Sequence, residues 1–188
     1  MLGFGTVGIV VLVIIAALLL LVIGIYNQLV GLRHTVRQGV ADIDAQLRQR
    51  HDLIPNLVET VKGYASHEAS TLAAVISARN AAKSGEPNSG AEQGLKAALG
   101  NLLALGEAYP DLKANVNFQE LQRELSDIED KLAAARRALN AAVARFNTAR
   151  EAFPAVMFAG MFGFQEADFN KLDDSERGTV DQTPRVAF

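Results

Sequence analysis

Between residues 42 and 68 the chain gathers Asp42, Asp44, His51, Asp52, Glu59, His67 and Glu68. Carboxylates and imidazoles in that proportion invite comparison with bundle di-iron centres, which draw Glu from two helices and Glu-x-x-His from two more. No Glu-x-x-His occurs in this sequence. On a helix, His51 and His67 point about 160° apart and Asp42 and Asp44 about 200° apart, so neither pair converges on one ion. The cluster reads as solvated faces and local ion pairs. Nucleophilic chemistry fares no better. Ser66 adjoins His67, but neighbours on a helix do not face each other, and no G-x-S-x-G elbow is present. A literal G-x-G-x-x-G stands at Gly3, Gly5 and Gly8. It lacks the preceding strand and the following ribose-binding acid that a dinucleotide site requires. With no Cys, thiol nucleophiles, disulfides, thiolate metal sites and a lipidated cysteine are all excluded. The sequence therefore assigns no catalytic, cofactor or metal residue and is read as non-enzymatic.

The elements that carry these residues begin with an uncharged stretch. Residues 1–32 contain no Asp, Glu, Lys, Arg or His, so all 18 basic and 21 acidic side chains lie beyond them. That remainder carries the whole net charge of −3, a balance that argues against nucleic-acid binding, which wants a basic surface. From Val7 to Tyr26 the chain is apolar over about the 20 residues that cross a bilayer core as a helix. A cleavable signal peptide would show a positive leader and a small-residue cleavage site, and neither is present. Tyr26 stands where an interfacial aromatic belongs. Arg33, Arg37, Arg48 and Arg50 follow the span, whereas only the α-amino group precedes it. The expected orientation is N-terminus out, with the large domain in the cytoplasm.

Beyond Tyr26, apolar residues at Leu29, Leu32, Val36, Val40, Ile43, Leu47, Ile54, Leu57 and Val61 fall three and four apart, close to a heptad seam. This spacing predicts a helix continuous with the membrane span and running on through Leu72, Val75 and Ile76 towards Ala82. Pro55 removes one backbone hydrogen bond and leaves the His51 carbonyl in need of a partner, which predicts a kink around 51–55. Lys83–Gly94 has a loop composition, and a second helix is expected over Ala91–Ala108. A third is expected from Asn117, read as its cap with Glu120 completing a capping box. Its seam runs through Phe118, Leu121, Leu125, Ile128, Leu132, Ala135, Leu139, Ala142, Phe146, Ala149 and Phe153. Pro154 opens a short segment rich in Phe and Met. Because an up-and-down path of three helices would leave Pro154 far from the bilayer, this segment reads as a bundle plug or self-association patch rather than an interfacial membrane helix.

The expected fold is all-α: a single N-terminal transmembrane helix continuing into an elongated up-and-down four-helix bundle. The expected divisions are an extracytoplasmic N-terminus at 1–6, the membrane helix at 7–26, the bundle at 27–170 and an extended polar tail at 171–188.

The stretches YNQLVGLR, ADIDAQLRQRHDLIPNLVETVKGYASHE, AYPDLKAN, NFQELQRELSDIEDKLAAARR, FPAVMFAGMFGF and PRVAF, in that order, resemble the LemA family. Departures are Gly39-Val40 where the family usually has Ala-Trp, and Ala138-Leu139 and Phe146 where aromatic residues and Tyr are common. They fall at or beside seam positions and alter packing detail more than fold. The resemblance implies a short extracytoplasmic N-terminus, one transmembrane helix and a long-helix bundle in the bacterial inner membrane, and it brings no catalytic residues. The expected function is a membrane-anchored, non-catalytic scaffold or adaptor that binds proteins, including copies of itself as a homo-oligomer. The alternatives are an accessory subunit of a membrane protease or transport system and, further off, a metal-dependent hydrolase. The expected contact points are Arg50, Asp52, Pro55 and Asn56 at the kink and Met157, Phe158, Met161, Phe162 and Phe164 in the last segment. The expected partners are the bilayer through residues 7–26, further copies of the chain and another membrane protein. No cofactor or nucleic acid is expected.

Overall fold

The computed structural model describes residues 2–84 and 90–167; the expected tail at 171–188 lies outside them. Among the described residues six helices succeed one another: α1 (Leu2–Lys62), α2 (Ala69–Ser84), α3 (Gly90–Ala108), α4 (Pro110–Ala114), α5 (Val116–Glu151) and α6 (Val156–Ala159). Among the described residues there is no strand, so the all-α expectation holds. α1 is long and apolar enough to cross a membrane, its most apolar window reaching a mean hydropathy of 3.4 with none of it buried by protein. Two compact units divide the described residues, 2–40 with 138–167 and, separately, 41–84 with 90–137.

In the second unit, Ile54, Leu57, Val61, Val75, Leu95, Leu102, Leu112 and Phe118 form a buried core. Each such aliphatic side chain removed from water contributes about 1.5–3 kcal/mol. The expected run of helix to Ala82 does not occur: α1 stops at Lys62 and a turn over residues 63–68 precedes α2. Gly63, a weak helix former, comes directly after the last helical residue. Ala65 is buried and its N–H donates to the Val61 carbonyl at 2.8 Å. Side chains from the α4 region tie the turn down, Asn115 Nδ2 donating to the Tyr64 hydroxyl at 2.9 Å and the Tyr109 hydroxyl to Glu68 Oε1 at 3.2 Å. α5 also starts earlier than expected. Its cap is Asn115, not Asn117, with Asn115 Oδ1 accepting from the Phe118 N–H at 3.0 Å.

In the first unit, α1 and α5 pack antiparallel, Gly39 against Leu139 and Leu29 with Phe146. A Cβ at Gly39 would lie 3.1 Å from Leu139 Cδ1 and 3.3 Å from its Cα. Gly39→Val is therefore expected to cost on the order of 1 kcal/mol by overpacking, read as a lower midpoint of urea unfolding. The α5 seam is buried or half-buried from Phe118 to Ala149, but Phe153 is 81% exposed.

After α5 the chain turns back on itself. Gly163 adopts φ 71°, and the Phe164 N–H reaches the Ala159 carbonyl at 2.9 Å while the Gly163 N–H reaches that of Gly160 at 3.1 Å. This paired ending, open to glycine at the left-handed position, swings Phe164 inward against Leu29, Phe146, Ala155 and Ala159. Asn147 fixes the chain just beyond, donating through Nδ2 to the Ala167 carbonyl at 2.9 Å and accepting from its N–H at 3.0 Å.

Contrary to expectation, the last segment does not stand away from the apolar run. The Phe162 and Phe164 rings meet the Tyr26 ring edge-on at 5.3 and 5.6 Å, at the end of the apolar run. The cause is the unexpected turn at 63–68. It adds one reversal to the path, so α5 returns along α1 instead of leaving with it.

Candidate functional site

The charged residues of the second unit converge, though not as a metal or nucleophile site. Arg50 and His51 are consecutive on α1 and both are 7% exposed. His51 Nε2 lies 2.9 Å from Oε1 of Glu92, a buried acid in the first turn of α3, where the helix N-terminus favours a negative charge. Glu92 Oε2 has no hydrogen bond, its nearest cation being Arg50 Nη1 at 3.7 Å. Arg50 Nη1 also stands 3.5 Å from Glu129 Oε2 on α5, and Lys96 Nζ holds Glu129 Oε1 at 2.8 Å. Two cations and two carboxylates thus cancel around a His–Glu hydrogen bond.

Pro55 explains a further contact. α1 continues as helix through Pro55, which has no N–H to offer the carbonyl four residues back. Arg79 on α2 supplies the missing donor, its Nε reaching the His51 carbonyl at 2.7 Å.

Burial alone would push the Glu129 carboxyl up, but the Lys96 hydrogen bond and the charges of Arg50, Lys96 and Arg136 outweigh it and hold the pKa below the usual value of 4.5. A lowered native pKa stabilises the fold at pH above 4.5, and that contribution disappears as pH falls through the native value. The stability difference between the parent and Glu129→Gln is thus expected at neutral pH and should shrink on acidification below 4.5, as urea titrations at several pH values would show.

A cleft of about 400 Å³ opens beside the network, with Leu47, Ala82, His51 and Glu92 among its lining residues and Asp52 and Lys83 exposed at it. None of the described lining residues carries a hydroxyl or thiol. Of the expected contact residues, Arg50 is buried in the ion network, whereas Asp52, Pro55 and Asn56 lie exposed on α1. Phe164 is buried and Phe158 half-buried, while Met157, Met161 and Phe162 are exposed. Glu92, Glu129, Lys96, Arg79 and Asn147 were missed from the sequence. Only the orphaned His51 carbonyl carried a signal, and it named a need without naming Arg79.

A helical bundle carried on a helix fit to span a membrane, with its interior ions neutralised by one another, is the class of protein defined here. The chain belongs to the LemA family, whose model matches residues 39–188. It is similar to Magnetosome protein MamQ of Magnetospirillum gryphiswaldense, 32% identical over 80 residues that make up 43% of this chain and 29% of the relative. Magnetosome protein MamQ 2 of Paramagnetospirillum magneticum matches at 31% identity over 80 residues, again 43% of this chain and 29% of the relative. The match thus spans less than a third of the length of these relatives.

Proposed function

We propose that the protein is a non-catalytic scaffold, anchored in the bacterial inner membrane by residues 7–26, that works through protein contacts and assembles with copies of itself. The observation that carries this reading is the use to which its charges are put. Arg50, Glu92, Glu129 and Lys96 neutralise one another, and Arg79 is engaged at the Pro55 gap, so the groups best placed for chemistry serve packing. Membership in a family that brings no catalytic residues supports it, as does a membrane segment continuous with the main helix of the bundle. The basic residues Arg33 and Arg37 just after the span support a bundle on the cytoplasmic side with the N-terminus out.

Light scattering of the detergent-solubilised full chain at micromolar concentration tests the reading, and multimers are the expected result. A strict monomer that co-purifies from native membranes with one distinct protein in fixed ratio would overturn self-assembly and favour an accessory subunit.

A further inference from the structure

Residues 152–165 contain no Asp, Glu, Lys, Arg or His. The paired turn at Gly163 sends Phe164 into the first unit's core beside Ala155 and Ala159, but it leaves one side of the segment uncovered. Phe153 is 81% exposed, Met161 79%, Met157 64% and Val156 53%. Four large apolar side chains so close together in a short segment, each more than half exposed, mark a surface that meets something apolar.

Their position identifies the occupant. Phe162 and Phe164 pack edge-on against Tyr26, the aromatic residue that closes the span, so the segment stands at the depth where the bilayer core gives way to headgroups. Phe and Met are side chains suited to that boundary, bulky or adaptable and without charge. The surrounding charges agree. The Arg33 guanidinium stacks 4.9 Å from the centre of the Phe164 ring. Arg150 holds both flanking acids, with Nη2 3.1 Å from Glu151 Oε1 and 3.5 Å from Glu166 Oε2. Arg33 thus accompanies the apolar surface as a cation, and the nearby carboxylates share Arg150.

We infer that residues 153–162 form a second membrane contact, laying Phe153, Met157 and Met161 into the interfacial layer of the same bilayer that α1 crosses. The occupant is phospholipid, and the surface is continuous with the membrane-spanning one. A second copy of the chain covering the same side chains is the competing outcome.

The absence of Trp from the sequence makes the test clean. Phe153→Trp and Met161→Trp would be prepared separately in the full chain and reconstituted in vesicles of phosphatidylcholine and phosphatidylglycerol, part of the lipid brominated. Tyr26→Trp serves as the reference at the interface and Asn101→Trp, exposed on α3, as the reference in water. Both test residues are exposed, so folding should survive; Met157→Trp replaces either variant whose helical circular dichroism is lost. The expected result is emission quenched by brominated lipid as strongly as that of Tyr26→Trp. Unquenched emission matching Asn101→Trp overturns the inference. Emission shifted to the blue but indifferent to brominated lipid also overturns it, and assigns the surface to a second copy. The inference rests on α1 crossing the bilayer, which Leu19→Trp checks separately: loss of quenching there defeats the anchor, whereas loss only at residues 153 and 161 defeats the second contact.

Discussion

Glu92→Ala is expected to destabilise the bundle by about 3–5 kcal/mol, the usual cost of removing one partner from a buried ion pair. Truncation does more than delete a hydrogen bond. Glu92 is 5% exposed and accepts from His51, so its loss strands a buried imidazole N–H and withdraws the nearer-buried of Arg50's two counter-charges. Glu129 remains with Arg50, but its side chain is 37% exposed and it is shared with Lys96. Its attraction for Arg50 is therefore better screened by water. Glu92→Gln keeps the shape and an acceptor for His51 and should cost less, with the remaining loss reflecting Arg50. Urea unfolding monitored by circular dichroism would measure both. A Glu92→Ala protein as stable as Glu92→Gln would show that the hydrogen bond to His51 contributes little, and a Glu92→Gln protein as stable as the parent would show the same of the charge balance.

The second expected result concerns a pair of residues 24 positions apart, Pro55 and Arg79. Arg79→Met should cost about 1.5–3 kcal/mol, the value of a hydrogen bond from a charged donor to an otherwise unpartnered carbonyl. In a Pro55→Ala background the same substitution should cost much less. An alanine at position 55 restores an N–H four residues beyond His51, so the carbonyl that Arg79 serves regains an ordinary helical partner. Pro55→Ala alone should be neutral or stabilising, since Pro is poorly suited to a helix interior. A double-mutant cycle reads the coupling directly, and additive losses would show that Arg79 acts through something other than the His51 carbonyl.

The sequence displayed some of this fold far more openly than the rest. The α5 seam was legible because nothing interrupts its three–four spacing and its opposite face is charged. The turn at 63–68 was hidden by the same kind of regularity. Ala65 and Leu72, on either side of the start of α2, are seven residues apart and both are buried, so the apolar register looks unbroken across the gap. The only local mark is a single Gly63, which helices tolerate. That one concealed reversal misplaced the Phe/Met segment, because the sense of every later helix depends on how many turns precede it. The capping residue of α5 was off by two positions because Asn115 and Asn117 offer the same chemistry. Glu92 sat at the edge of a loop-like stretch, where an acid in a first helical turn is commonplace. Nothing in one dimension shows that Arg50, His51 and Glu129 meet there.

Tyr26 carries one further consequence. Its ring ends the apolar run of α1, and it also packs against Phe162 and Phe164, so one side chain belongs both to the proposed membrane boundary and to the aromatic packing of the folded domain. The depth of α1 and the packing of the chain after α5 are then not independent variables. A bilayer thicker or thinner than the apolar run imposes a mismatch costing fractions of a kcal/mol per Å, and a helix that slides to relieve it must carry Tyr26 against its two aromatic neighbours. With α1 placed in the bilayer as proposed, hydrocarbon thickness is expected to enter the stability of the fold, and the protein should be most stable in lipids whose acyl length matches the span from Val7 to Tyr26.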